Sequence, residues 1–315
     1  MMNLSISFII PAFNEEEYIQ KTIQDIKINC PNINFEIYVS DNGSADSTVQ
    51  LLEQLVVPFS VSPNVTISKL RNLGVKETIG EILVFIDADV SLTPEWKKNM
   101  LVIIDELKAF PLNVTGSRCL PPPDNNWFNK YWFKRLAEYD APYVNSGHMI
   151  TTRTLFDKIG GFDEALKTAE DYDFCMRAKA AGAEVKNNPD LPVIHWGYPQ
   201  KIKDFIRRER WHGRQDFANL KSLLASKVAL AAAFSLVLFV FSLLGSFYFQ
   251  QPAFLLGYSV VMFSVSVFLT IIKFSIRPFS SLFQTSAIFF LYLWGRSFSL
   301  VDRLLGKTLQ RGRES

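Results

Sequence analysis

Two long stretches without a single charge constrain this chain more than anything else in it. Residues 228–249 carry no charged side chain, and neither do residues 253–272. At a helical rise of about 1.5 Å per residue, each can cross a hydrocarbon layer of roughly 30 Å. Gln250, Gln251 and Pro252 leave only a very short turn between them. Two uncharged runs in tandem predict a pair of membrane spans rather than buried core helices. Lys221 and Lys227 precede the first run, and Lys273 and Arg277 follow the second. The connecting turn is uncharged, so the positive-inside rule puts both flanks in the cytoplasm and makes the chain a multi-pass protein of the cell (inner) membrane. A third apolar stretch, about 282–300, is continuous only over 287–294 and is interrupted by Arg296. Arg303, Lys307, Arg311 and Arg313 follow it, and a full third crossing would carry all four outside. A re-entrant or interfacial segment is therefore expected there, with a third span as the alternative.

Charge divides the rest. The 315 residues contain 33 Lys and Arg against 31 Asp and Glu, a net of +2. Residues 1–199 carry a net charge of −8, residues 200–227 carry +5 and residues 228–315 carry +5. The expected organisation is a body over 1–199, a basic amphipathic juxtamembrane strip over 200–227 and a membrane region over 228–315. An acidic body argues against a nucleic-acid partner, whose binding domains carry a basic footprint. The chain is too apolar for a disordered one. Three scattered cysteines, Cys30, Cys119 and Cys175, suggest neither a disulfide framework nor a zinc site and fit a reducing compartment. Residues 1–14 read as a strand and turn, so no signal peptide is expected.

Within the body, apolar runs alternate with helical periods. Residues 5–11 read as a strand. Asn14 with Glu17 three residues on has the spacing of a capping box, and Ile19, Ile23 and Ile26 form the stripe of the helix that follows. Residues 35–39 read as a second strand. Asp46 or Ser47 opens a second helix with Val49, Leu52 and Val56 on one face. Residues 82–86 read as a third strand, and Thr93-Pro94 starts a third helix with proline at its favoured first position. Strand alternating with helix implies a mostly parallel, Rossmann-like α/β sheet. Ligands of such sheets sit beyond the carboxyl ends of the strands.

Each of those ends carries carboxylates: Glu15 after the first strand, Asp41 after the second, Asp87 and Asp89 after the third. Carboxylates gathered at one sheet edge need a cation, a donor or a proton. Hard divalent ions such as Mg²⁺ or Mn²⁺ use one or two carboxylates together with substrate phosphate oxygens.

The motifs at these ends resemble those of family 2 glycosyltransferases, which have the GT-A fold. They are Phe8-Ile9-Ile10-Pro11-Ala12-Phe13-Asn14-Glu15, Val39-Ser40-Asp41-Asn42-Gly43-Ser44-Ala45-Asp46-Ser47-Thr48, Arg71-Asn72-Leu73-Gly74 and Phe85-Ile86-Asp87-Ala88-Asp89. Gly160-Gly161-Phe162-Asp163-Glu164 and Glu170-Asp171-Tyr172-Asp173 follow in the family's order, and the similarity covers about residues 5–215. Many members have a second Asp where this chain has Asn42. The resemblance implies that Pro11, Phe13, Glu15 and Asp41 line the nucleoside pocket and that Arg71 approaches the nucleotide. It implies that Asp87 and Asp89 hold metal and ribose, with His195 as a further metal contact. Gly147 would let the backbone approach the donor sugar. Asp171 would be the general base of an inverting transfer, with Glu170 a neighbouring acceptor-site residue. The implied donor is a nucleoside diphosphate sugar, with a UDP-sugar favoured over guanine or thymine nucleotides.

Arg207-Arg208-Glu209-Arg210-Trp211 resembles the Arg/Gln-x-x-Arg-Trp motif of membrane-associated members, which implies that Arg207, Arg210 and Trp211 meet the acceptor and the diphosphate. Such a strip also suits anionic membrane lipid. Ile202, Phe205 and Ile206, then Phe217, Leu220 and Leu224, give it an apolar side. The aromatic segment Trp127, Phe128, Tyr131, Trp132 and Phe133 fits either core packing or a membrane-facing acceptor loop, and Pro121-Pro122-Pro123 before it favours the loop. Together these features imply a metal-dependent hexosyltransferase that acts on a lipid-linked or glycan acceptor in polysaccharide or glycolipid synthesis. A processive polysaccharide synthase is the nearest alternative and a catalytically silent nucleotide-sugar-binding scaffold a more distant one. A sugar nucleotidyltransferase would need a glycine-rich N-terminal phosphate loop, and this chain lacks one.

Overall fold

The computed structural model describes residues 5–139, 141–275 and 281–306. The chain divides into two compact units, Met1–Pro123 with Leu136–Tyr198, and Asp124–Arg135 with Pro199–Ser315.

The first unit opens with β1 (Ser5–Ala12), α1 (Ile19–Asn29), β2 (Asn34–Asp41), α2 (Thr48–Gln54), β3 (Phe59–Val61), α3 (Ile67–Lys76) and β4 (Ile82–Ile86). It continues with β5 (Val90–Leu92), α4 (Pro94–Ala109) and β6 (Val114–Gly116). The short helix α5 (Lys134–Glu138) crosses the junction between the units, and β7 (His148–Thr152), α6 (Arg153–Ile159), α7 (Glu170–Ala180) and β8 (Val193–His195) complete the first. The six-stranded sheet has the order β3-β2-β1-β4-β7-β6. β1 runs parallel to β2 and β4, and β2 parallel to β3. β7 is antiparallel to both β4 and β6. β5 and β8 form a separate antiparallel pair. The mostly parallel α/β sheet expected from the alternation is therefore present, with an antiparallel edge. Its central strands are buried on both faces: Ile6, Phe8 and Ile10 face one core cluster, and Ile9, Leu83 and Phe85 face another.

Several local expectations need correction. Asn14 is not a helix cap. Its backbone is left-handed (φ 54°), its side-chain oxygen accepts the Ala45 N–H at 2.8 Å, and α1 begins only at Ile19, without a side-chain cap. Ile19, Ile23 and Ile26 are the buried stripe of α1, as expected. α2 starts at Thr48 and buries Leu52, but Val56 lies beyond its end and is 87% exposed. Thr93 caps α4, accepting the Trp96 N–H. The helix α3 has no counterpart in the periodicity analysis, because its buried face is made of Ser68, Arg71 and Asn72 as much as of Leu70 and Val75.

The second unit contains a π-helical turn (Asn129–Phe133), α8 (Ile202–His212), α9 (Leu220–Ala225), α10 (Lys227–Phe249), α11 (Ala253–Phe274) and α12 (Leu282–Leu304). Among the described residues, α10 and α11 are the two helices long and apolar enough to cross a membrane. Phe234, Phe241, Leu244 and Phe247 on α10, and Leu256, Val260, Phe268 and Ile272 on α11, are exposed, the reverse of a soluble core helix. The third apolar stretch is not broken at Arg296: α12 is one helix of 23 residues. The Arg296 guanidinium is held by Asp216 at 2.9 Å and Glu209 at 3.2 Å, which removes the reason for the helix to end there. Arg277, Lys307, Arg311 and Arg313, which entered the orientation argument, lie outside the described residues.

The aromatic segment packs inside this unit rather than forming an exposed loop. Phe128 stacks on Phe205 at 4.7 Å, and Trp132, 1% exposed, is ringed by Phe205, Phe274, Phe289 and Tyr292. Phe217 is also buried, against Ala229 and Ala232, whereas Ile202, Leu220 and Leu224 are exposed. α8 lies close along α12, where a Cβ on Gly295 would come within 2.7 Å of the Glu209 Cβ. The three cysteines are buried and free.

Candidate active site

The parallel register sets the ends of β1, β2 and β4 at one edge of the sheet, with Ala12 opposite Asp41. The first two ends are laced to each other. Asn14 N–H donates to Ser44 Oγ, and Glu15 N–H donates to Thr48 Oγ1, both at 2.8 Å. Asp41 is fully buried. Its Oδ1 accepts the Gly43 and Ser44 N–H groups at 2.8 Å, and its Oδ2 accepts the Ser44 hydroxyl. In this state the Asp41 carboxylate shapes its own loop. Asn42 holds Val65 through both atoms of its amide. Pro11 is buried within β1, and Phe13 and Glu15 are half-buried beside it.

The end of β4 delivers Asp87 and Asp89. The β5–β8 pairing puts His195 opposite Val90, and the Trp196 N–H donates to the Asp89 carbonyl at 2.8 Å. One ligand atom from each of Asp87, Asp89 and His195 falls within a 4.8 Å cluster. His195 Nε2 lies 3.6 Å from Asp89 Oδ1, longer than a hydrogen bond. The ring stacks on Tyr198 at 4.2 Å. Two hard carboxylates and an imidazole form a donor set that fits Mn²⁺ or Mg²⁺.

Arg71, on α3, is 1% exposed and joins two parts of the site. One terminal nitrogen donates to Asp87 Oδ1 and the other to Glu170 Oε1, each at 2.9 Å. Its fork is thus engaged by carboxylates here, and its plane lies over the Phe162 ring.

Glu170 and Asp171 occupy the first turn of α7, where the helix dipole favours negative charge. The residue before them, Ala169, has a left-handed backbone (φ 62°) that aims this turn. Asp171 is 9% exposed. It accepts Tyr172 N–H at 2.8 Å and Asn145 Nδ2 at 3.0 Å. Burial, followed by the neighbouring Glu170 charge, pushes its pKa up to about 6. Such a carboxyl ionises just below neutral pH, which suits a general base. Gly147 abuts Asp87: a Cβ there would lie 3.0 Å from Asp87 Oδ2 and 2.9 Å from Asn145 Oδ1. The adjacent His148 is wholly buried and neutral, its pKa pushed down to about 3, with Trp96 Nε1 donating to its Nε2.

The structure therefore gathers Arg71, Asp87, Asp89, Gly147, Glu170, Asp171 and His195. Asn145 and Ser146 are contacts that sequence reasoning missed. The only sequence signal is two hydrogen-bonding residues in succession before Gly147. Arg207, Arg210 and Trp211 lie on α8 in the second unit. There Arg210 makes a two-pronged ion pair with Asp302, Arg207 sits 3.6 Å from Asp204, and Arg214 lies over the Trp211 ring.

Two family models match, glycosyl transferase family 2 over residues 7–158 and glycosyl transferase family group 2 over residues 123–295. The glycosyltransferase AglE of Haloferax volcanii is 32% identical over 253 residues, covering 75% of this chain and 79% of AglE. The chain belongs to glycosyl transferase family 2. It is also 28% identical over 198 residues to the poly(ribitol-phosphate) beta-N-acetylglucosaminyltransferase TarS of Staphylococcus aureus. The match takes in 56% of this chain but only 32% of TarS, and a 26% identical match to the chondroitin synthase of Pasteurella multocida takes in 19% of that protein. Among solved structures, the mannosyltransferase PcManGT of Pyrobaculum calidifontis, in complex with GDP-Man and Mn²⁺, superposes with a TM-score of 0.58 at 16% identity. That superposition covers 96% of this chain and 88% of the other. The family 2 transferase therefore has the GT-A fold, followed by two apolar helices of spanning length.

Proposed function

We propose that this family 2 glycosyltransferase is a metal-dependent, inverting enzyme. It takes a sugar from a nucleoside diphosphate donor, with a UDP-sugar favoured, and passes it to a lipid-linked or glycan acceptor at the cytoplasmic face of the membrane. The observation that carries this reading is the Asp87–Asp89–His195 cluster joined through Arg71 and Glu170 to a buried carboxyl, Asp171, whose pKa lies near 6.

Asp87, Asp89 and His195 would hold Mn²⁺ or Mg²⁺. Bound there, such an ion would supply Lewis acidity against the charge of the departing diphosphate. The residues of the chain do the rest. Asp171 removes the acceptor hydroxyl proton as that oxygen attacks the anomeric carbon, which requires the carboxylate form. Arg71 holds Asp87 and Glu170 in place and keeps two carboxylates from repelling each other. Gly147 leaves room for the donor beside Asp87. Pro11, Phe13, Glu15 and the Asp41 loop form the nucleoside side of the pocket. α10 and α11 anchor the chain in the membrane, and Arg207, Arg210 and Trp211 serve an acceptor that carries a diphosphate.

A donor panel tests the reading. The full chain in detergent, with Mn²⁺ and a membrane extract as acceptor source, is given UDP-GlcNAc, UDP-glucose, UDP-galactose and GDP-mannose. One donor is expected to release nucleoside diphosphate, and chelation or Asp171→Asn is expected to abolish the release. Release from none of them, or full activity of Asp171→Asn, would refute it. A single added sugar, rather than a ladder, separates this enzyme from a processive synthase.

A further inference from the structure

Three consecutive residues before β7 each hold a different acidic residue of the site. Asn145 Nδ2 donates to Asp171 Oδ2 at 3.0 Å. The Ser146 hydroxyl donates to Glu170 Oε1 at 3.1 Å. The Gly147 carbonyl accepts the Asp87 N–H at 3.2 Å. The Asn145 amide cannot turn over, because its Oδ1 accepts the Gly147 N–H at 2.8 Å. A flipped amide would set its NH₂ against that N–H, so the donor end is committed to Asp171.

We infer that Asn145 is a positioning residue for the acceptor base, fixing which oxygen of Asp171 faces the incoming hydroxyl and holding the carboxylate ready to take its proton. This inference rests on the reading of Asp171 as the base. Each carboxylate oxygen has two lone pairs. On Asp171, Tyr172 N–H takes one from Oδ1 and Asn145 takes one from Oδ2, and the Ser146 backbone N–H is a further donor to the carboxylate; together they orient the remaining pairs. The amide is a neutral donor, so it favours the ionised form without adding charge to the site.

The charged and titratable groups around Asp171 leave this task to Asn145. Glu170 sits beside it on α7, and Cys175 lies one turn further along the same helix. Tyr143, from the loop before β7, faces it and is hydrogen-bonded to Arg118. Arg71 reaches from α3, but its fork is divided between Glu170 and Asp87. Burial and Glu170 favour the protonated acid, and Asn145 is the side-chain donor bonded directly to the carboxylate.

The test uses Asn145→Asp and Asn145→Ala in the full chain, with whichever donor of the panel turns over, against Asp171→Asn. An Asp at 145 keeps an oxygen for the Gly147 N–H but sets an acceptor against Asp171. The midpoint of the acid limb of kcat is expected to rise by about one pH unit or more in both variants. At pH 7 kcat should fall about twofold for a rise of one unit, and further as the midpoint rises, with donor KM within twofold of the unaltered chain. The midpoint does not depend on how much of a sample is folded, so either variant decides even if the other is unstable. An unmoved midpoint, with Asp171→Asn inactive, would overturn the inference and leave Asn145 a structural turn residue. Wild-type turnover by Asp171→Asn would overturn the base assignment and the inference with it.

Discussion

Replacing Arg71 with methionine keeps most of the side chain's length and removes its charge. The native guanidinium is 1% exposed and makes two ion pairs at 2.9 Å, to Asp87 and to Glu170, whose side chains are 24% and 11% exposed. Removing one partner of a buried ion pair costs about 3–5 kcal/mol, mostly because the charge left behind has lost its partner. Here two carboxylates are stranded. Asp87 retains some water, which puts the loss near the lower end, about 3–4 kcal/mol. For a unit of this size each kcal/mol shifts Tm by roughly 2–4 °C, so a fall on the order of 6–15 °C is expected. Glu170→Gln in the same chain removes one stranded charge and should return about 1–3 kcal/mol, a non-additivity that a double-mutant cycle detects. The assay is thermal unfolding of the four proteins of the cycle in one detergent. An Arg71→Met protein within about 2 °C of the unaltered chain, or strictly additive substitutions, would refute the view of Arg71 as the strut between the Asp87–Asp89–His195 cluster and α7.

The raised Asp171 pKa has consequences of opposite sign for rate and stability. Transfer should fall as pH drops through about 6, where the carboxyl takes up its proton. The folded carboxyl holds its proton up to about 6 and the unfolded one only to 3.8, so this group's stabilisation is present below that window and lost as pH rises through it. Asp171→Asn should therefore be the more stable protein at pH 7.5, by roughly 3 kcal/mol, with the gap closing by pH 4. Equal melting curves at both pH values would contradict this. His195→Gln should weaken Mn²⁺ binding at least about tenfold in titrations followed by electron paramagnetic resonance, and unchanged affinity would remove His195 from the metal set. Trp132→Ala should cost the second unit about 3–5 kcal/mol, read as a lower unfolding midpoint in denaturant.

The β1, β2 and β4 ends, and the acids they present, were legible because apolar strands stop abruptly at polar residues. The Glu170–Asp171 helix start was equally plain. What stayed hidden depends on partners distant in sequence. α3 could not be seen in the apolar period, since Arg71 and Asn72 are buried by bonds to Glu170, 99 residues away, and Phe162, 90 residues away. Asn14 has the spacing of a cap, but its side chain is taken by Ala45 on the neighbouring strand end. Arg296 looks like a helix breaker until Glu209 and Asp216 are placed beside it. Asn145 carries no signal of its own, because a lone asparagine before a strand has many uses.

The three buried thiols have a practical consequence. Burial pushes Cys30 and Cys175 up to about 12 and Cys119 higher still. The thiolate is the reactive species, so these groups stay inert toward maleimides at neutral pH. The native chain is therefore its own blank for single-cysteine labelling. A cysteine placed on the turn at Gln251, another at Lys221, and a membrane-impermeant reagent applied to intact cells would report which side of the bilayer each occupies, with no native thiol to remove first.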